Sequence, residues 1–277
     1  MSDQNLNPNL NSNIEDEISL KDIVDFLIES WKTIFAAGVL GLLGAVTYIV
    51  VTPNQYEATA QIQMAQITLG NPAAPSSIED GYTLIARMKL PTSYDEDLIK
   101  VCGLNEYKKP SETLAKTIKM SVLKGTQIVE LKITRTSQAI ASACSMKLFE
   151  KIQQHQASIA NLFINEAKSK ILTYQKRLQD GQAFIAKADK FGSSMSAAYL
   201  STRDELKQLN DEILRLQDLI GSANARQTKL IAPIYSPKDK VSPKRAVALI
   251  AGLFAGLFLG LLLMLGKRGY KAYKASN

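Results

Sequence analysis

Residues 246–265 read AVALIAGLFAGLFLGLLLML, 20 positions without a charge. A bilayer core of roughly 30 Å is crossed by about 20 apolar residues in a helix. Residues 33–51, TIFAAGVLGLLGAVTYIVV, repeat the pattern over 19 uncharged positions. Two spans are therefore expected, 33–51 and 246–265, enclosing the loop 52–245. The acidic stretch before the first run (Glu15, Asp16, Glu17, Asp22, Asp25, Glu29) is unlike the basic start of a signal peptide, so that run reads as a retained anchor.

Charge sets the expected orientation. Lys267, Arg268, Lys271 and Lys274 follow the second span, and Lys32 precedes the first. The positive-inside rule then puts both termini in the cytoplasm and the 194-residue loop outside. That loop carries +8 of the chain's net +7, the segment before it being −5 and the one after it +4. It holds both cysteines, Cys102 and Cys144. An oxidising compartment would allow a disulfide between them, and two buried thiols are the alternative.

The N-terminal residues 1–18 are Asn-rich, polar and expected to be disordered. Residues 19–32 place Leu20, Ile23, Val24, Leu27, Ile28 and Trp31 at helical spacing, as in an interfacial amphipathic helix. In the loop, YEATAQIQM (56–64) alternates like a half-buried strand, and TIKMSVLKGTQIVELKIT (117–134) reads as two strands around Lys124-Gly125-Thr126. SIEDGYTLIARMK and SYDEDLIKVC read as short helices parted by Pro91. These pieces make an α/β base over 52–136.

From about Ser137 the period changes. Ala157, Ala160, Ile164, Ala167, Ile171, Tyr174, Leu178, Gly181, Ile185 and Ala188 step by three and four, a heptad seam. KFGSSMS interrupts it. Leu206, Leu209, Ile213, Leu216 and Ile220 resume it, and Gly221 is expected to end it. Residues 137–221 thus form a long helix and an antiparallel hairpin, with the tip near Phe191 to Met195. TKLIAPIY reads as a return strand within 222–245. Pro233, Pro237 and Pro243 stiffen that approach, and Pro237, Pro243, Lys244 and Arg245 form the membrane-entry segment. Residues 266–277 are a basic cytoplasmic tail, expected to carry no kinase domain.

Chemistry is sparse. GLLLMLGKR (260–268) is not a phosphate-binding loop, because five residues part its glycines and Arg268 follows the lysine. Glu79-Asp80 and Asp95-Glu96-Asp97 read as helix caps, and a single His155 excludes a His-rich metal site. No catalytic residue, cofactor or metal is expected. The glycines say more. Gly252, Gly256 and Gly260 recur every four residues, and Gly38, Gly41 and Gly44 every three. Small residues let membrane helices approach closely. The partner is the other span, another protomer or another membrane protein.

The order of these pieces resembles the Wzz polysaccharide co-polymerases. The resemblance is carried by EISLKDIVDFLIESWKTI, YEATAQIQM, KGTQIVELKI with SQAIASACSMKL, and SPKRAVALIAGLFAGLFLGLLL. The proline spacing departs from the family's triplet run, although Pro243-Lys244-Arg245 fits its end. The resemblance implies a membrane-anchored α+β fold, with two transmembrane helices flanking a periplasmic α/β base and its extended helical hairpin. It also implies a non-enzymatic regulator in a homo-oligomeric ring in the bacterial inner membrane. Such a ring acts with a Wzy polymerase on lipid-linked polysaccharide, not on nucleic acid, and sets lipopolysaccharide O-antigen length. The alternative is a capsule or exopolysaccharide export co-polymerase working with a separate tyrosine kinase.

Overall fold

The computed structural model describes residues 20–68, 75–192 and 196–276. The expected disordered segment 1–18 lies outside them, as does part of the hairpin tip. The chain divides into two units, residues 1–53 with 243–277, and residues 54–242.

The first unit is a helix pair. Helix α1 (Leu20–Val51) packs against α7 (Arg245–Ser276). Both contain stretches long and apolar enough to cross a membrane, Ile28–Val51 and Arg245–Tyr270. Two segments that the sequence delimits separately are continuous with the spans. The amphipathic segment 19–32 and the span 33–51 are one unbroken helix from Leu20, since no proline or turn residue parts them. The segment 266–277 continues α7 as helix to Ser276, because a single Gly266 or Gly269 weakens a helix without stopping it.

The second unit is built on a four-stranded sheet in the order β4-β5-β1-β6. Strand β1 is Tyr56–Gln63, β4 Ile118–Val122, β5 Ile128–Arg135 and β6 Lys229–Leu230. β1 runs antiparallel to β5 with Ala60 opposite Leu131, and β4 antiparallel to β5 with Met120 opposite Leu131. Gly125 adopts φ +72° in the β4–β5 turn, a conformation that favours glycine. A small second sheet pairs β2 (Gln66–Ile67) with β3 (Ser76–Ser77).

One sheet face is buried. Ala60, Ile62, Val129, Leu131 and Ile133 meet Cys144, Leu148, Phe149 and Ile152 of α5 (Gln138–Lys190). Helices α2 (Gly81–Met88), α3 (Glu96–Val101) and α4 (Pro110–Thr117) close the core with Leu84, Leu98 and Leu114. Asp80 and Asp95 cap α2 and α3 through their carboxylates. Helix α4 was not legible in the sequence.

The 53-residue α5 is roughly 80 Å long. Its distal part pairs with α6 (Ala197–Ala225). Seam residues Ala160, Ile164 and Ala167 of α5 are buried, as are Leu209, Ile213 and Leu216 of α6. At the base of the hairpin, Ile164 and Ala223 join Ile67 in a small cluster of their own. Near the tip, Gly181 abuts Leu206: a Cβ on it would stand 2.7 Å from the leucine Cδ2. Gly192, at φ +68°, ends the outgoing arm.

Three further details differ from the sequence reading. Ala157 is exposed, and its neighbour Gln156 takes the buried position. Helix α6 runs past Gly221 to Ala225, since Gly221 stays out of the left-handed region. The return strand shrinks to two residues and a bridge between Tyr235 and Thr59, because Pro233 lacks the N–H a ladder needs.

Candidate functional site

Glycines at four-residue spacing line the α1–α7 contact. A Cβ on Gly252 would lie 2.6 Å from the Ala45 Cβ, one on Gly256 2.5 Å from the Ala37 carbonyl oxygen, and one on Gly260 2.8 Å from the Ala37 Cβ. A Cβ on Gly41 would overlap the Gly252 carbonyl oxygen, and Gly38 meets Leu257 and Leu253. The two backbones come into close contact at Gly41, Gly252 and Gly256. Within this chain, the partner of the glycine line is therefore its own first span.

Gly44 does not belong to the contact; among the described residues nothing lies within 4 Å of where its Cβ would stand. A three-residue step rotates about 60° backward around a helix, so Gly44 has drifted off the face that Gly38 occupies. Ala37, Gly41 and Ala45 keep the four-residue step and are the true complement of Gly252, Gly256 and Gly260. Ser30, 1% exposed, is also buried on α1.

In the second unit, polar groups join four chain segments at Gln156, which is fully buried. Its Oε1 accepts from the Ala65 N–H at 3.0 Å and from Thr228 Oγ1 at 2.6 Å, and its Nε2 donates to Glu79 Oε2 at 3.1 Å. Arg87 grips the same carboxylate through two bonds of 3.0 Å. Thus Glu79 is a buried structural anion, while the adjacent Asp80 is a cap. Gln156→Leu would leave the Ala65 N–H, the Thr228 hydroxyl and one Glu79 oxygen short of a partner. A loss of about 2–3 kcal/mol is expected, read from the denaturant midpoint of the purified protein.

Cys102 and Cys144 are joined in a disulfide that ties the C-terminal cap of α3 to α5. Both are fully buried. Of the two readings left open by the sequence, the bridge is the one found.

The ion pairs are those of a structural domain. Lys151 donates to the Asp95 carboxylate, and that bond, with the Leu98 N–H, holds the Asp95 pKa below its usual value. A lowered folded-state pKa contributes stability above the ordinary carboxylate range. That contribution is lost as pH falls through the folded value. Asp95→Asn should flatten this acid limb by no more than about 1 kcal/mol, since the side chain is half-exposed. Tyr94 is pushed up to about 12 by burial. Arg135, 7% exposed, donates to Thr117 Oγ1 and the Thr134 carbonyl, and burial lowers its pKa.

Residues 16–100 match the family model Wzz, described as chain length determinant protein. Over these residues the chain is similar to the Wzz family.

The Wzz match takes in α1, β1, β2, β3, α2 and all but the last residue of α3. No curated protein matches the chain. Solved structures do. A full-length bacterial polysaccharide co-polymerase aligns at 16% identity and TM-score 0.42, covering 93% of this chain and 100% of that one. A fragment of WzzB, a polysaccharide co-polymerase from Salmonella Typhimurium, aligns at 17% identity and TM-score 0.32, covering 68% and 100%. A point mutant of the Shigella flexneri lipopolysaccharide O-antigen chain-length regulator WzzBSF aligns at 15% and 0.22, covering 67% and 99%.

Beside this Wzz likeness, no group of three or more His, Cys, Asp or Glu that could hold a metal occurs among the described residues. Of the membrane-entry residues, Pro243 is buried, Pro237 half-buried, and Lys244 and Arg245 exposed, with Arg245 opening α7. Just before them, Val241 and Ser242 bond to Gln55 through their backbones. What the second unit offers is surface: the hairpin and the uncovered face of the sheet.

Proposed function

We propose that this protein is a non-enzymatic regulator of surface polysaccharide chain length. In this reading it works beside a Wzy-type polymerase on lipid-linked repeat units. It sets the modal length of lipopolysaccharide O-antigen or a related glycan. The observation that carries the reading is the Wzz match over residues 16–100.

The membrane assignment rests on two helices of sufficient length and hydropathy. The orientation, with both termini cytoplasmic and residues 54–242 in the periplasm, is supported by Lys267, Arg268, Lys271 and Lys274 after the second span. The Cys102–Cys144 bridge supports it independently, because disulfides persist in oxidising compartments. A homo-oligomeric ring fits the exposed apolar residues outside the hairpin seam. Leu162 and Leu172 on α5 are 70% and 69% exposed, and Phe184 is also exposed. Such side chains are well suited to a neighbouring copy.

The test is deletion of the gene, followed by sizing both lipopolysaccharide and capsule. The expected result is loss of the modal cluster in the lipopolysaccharide ladder, with capsule unchanged. A change confined to capsule would replace this reading with the export co-polymerase. No change in either glycan would refute both.

A further inference from the structure

Among the described residues, the sheet of the second unit is covered on one face only. Its open face is not featureless. Strand register sets Lys132, Thr59 and Tyr235 in one row across β5, β1 and the return segment, and Glu130 with Gln61 in the next. Glu57 lies on the same face, two residues before Thr59. These side chains, with Ala232 and Pro233, line a shallow groove of about 470 Å³.

Two properties of the groove point to its occupant. The first is a fixed aromatic. Tyr235 is 68% exposed, yet its backbone is bonded to Thr59 in both directions, at 2.8 and 2.9 Å. An exposed ring on a rigid backbone offers a flat apolar face at small entropic cost. The second is the polar lining. Lys132 Nζ is paired with Glu130 Oε2 at 2.8 Å, so the groove presents a neutralised pair, one further carboxylate, an amide and a hydroxyl. The pair leaves the Glu57 carboxylate as the net charge, so this surface does not attract a polyanion. It is too polar for an acyl chain, and its only apolar lining besides the tyrosine ring is Ala232 and Pro233. Strands about 4.8 Å apart repeat these groups at a spacing comparable to one pyranose ring.

We infer that the open sheet face is a glycan-binding subsite for a short, hydroxyl-rich stretch of the polysaccharide. Tyr235 stacks on one sugar ring. Thr59, Gln61, Glu57 and the Glu130–Lys132 pair hydrogen-bond the hydroxyls of that ring and its neighbours. The inference rests on the proposed chain-length function and gives it a place where polymer is held.

The test uses the full chain in phospholipid nanodiscs and, as probe, the deacylated surface polysaccharide of the host strain, titrated calorimetrically. The wild type is expected to bind. Tyr235→Ala should weaken binding about tenfold, while Tyr235→Phe, which keeps the ring, should stay within about twofold. Gln61→Ala should weaken it about threefold. Tyr82→Ala, which removes another exposed tyrosine outside the groove, should leave it unchanged. Absence of wild-type binding, or Tyr235→Ala binding as tightly as wild type, would overturn the inference. So would a change in particle mass without a change in polysaccharide affinity, which would make the face a contact between copies. The two readings fail separately. An unchanged glycan distribution in the deletion strain removes the chain-length function. An altered distribution with no dependence on Tyr235 removes only the subsite.

Discussion

Gly41→Leu and Gly256→Leu, each alone, are expected to separate α1 from α7 and to cost about 3 kcal/mol of helix-pair stability. The reason is what each glycine faces. At Gly41 a side chain would enter the Gly252 carbonyl, and at Gly256 it would stand 2.5 Å from the Ala37 carbonyl oxygen and 3.1 Å from Gly38 Cα. Backbone cannot swing aside as a rotamer can, so the helices must move apart. In lipid they gain nothing from hydrophobic exclusion, and close packing is what holds them. Separation therefore forfeits most of the attraction. Gly44→Leu is the matched control, with open space around it and little expected change. The measurement is the unfolding midpoint in mixed micelles, read on the three variants. Equal midpoints for Gly44→Leu and Gly256→Leu would disprove the contact.

Loss of the Cys102–Cys144 bridge should be the second large effect. Its sequence separation is 42 residues, which corresponds to about 4 kcal/mol of unfolded-chain entropy. The bridge lies in the main core beside Leu98, Leu148 and Leu104, so opening it also leaves two thiols in a packed apolar site. Cys102→Ser with Cys144→Ser, or reduction under mild denaturant, should lower the melting temperature by about 10 °C. The disulfide also reports location. Protein recovered from cells lacking periplasmic thiol oxidation should carry free thiols at both positions. A bridge formed equally well there would contradict the periplasmic assignment.

Much of the architecture was legible because it is periodic. The seam from Ala160 to Ala188 and its return through Leu209, Ile213 and Leu216 is a local pattern, and so is the alternation of Val129, Leu131 and Ile133. What was missed is non-local or chemically quiet. Ala37 and Ala45 complete the helix contact, but an alanine in an apolar run looks the same whether it faces lipid or a neighbour. Gly44 looked equivalent to Gly41 until its helical phase was followed. Gln156 interrupts the seam one residue before Ala157, and its burial depends on Ala65, Glu79 and Thr228, each more than 70 positions away. The groove at Tyr235 has no sequence signature at all, because register alone assembles it from three separated segments.

The proposed role is to set polymer length. The most direct measurement is the length distribution of lipopolysaccharide from a deletion strain carrying an empty vector, the wild-type gene or Gly256→Leu. The expected result is a broad distribution without a modal cluster in the first, a restored cluster in the second, and no restoration in the third despite normal expression. A distribution in the empty-vector strain identical to that of the parent would contradict the proposed function.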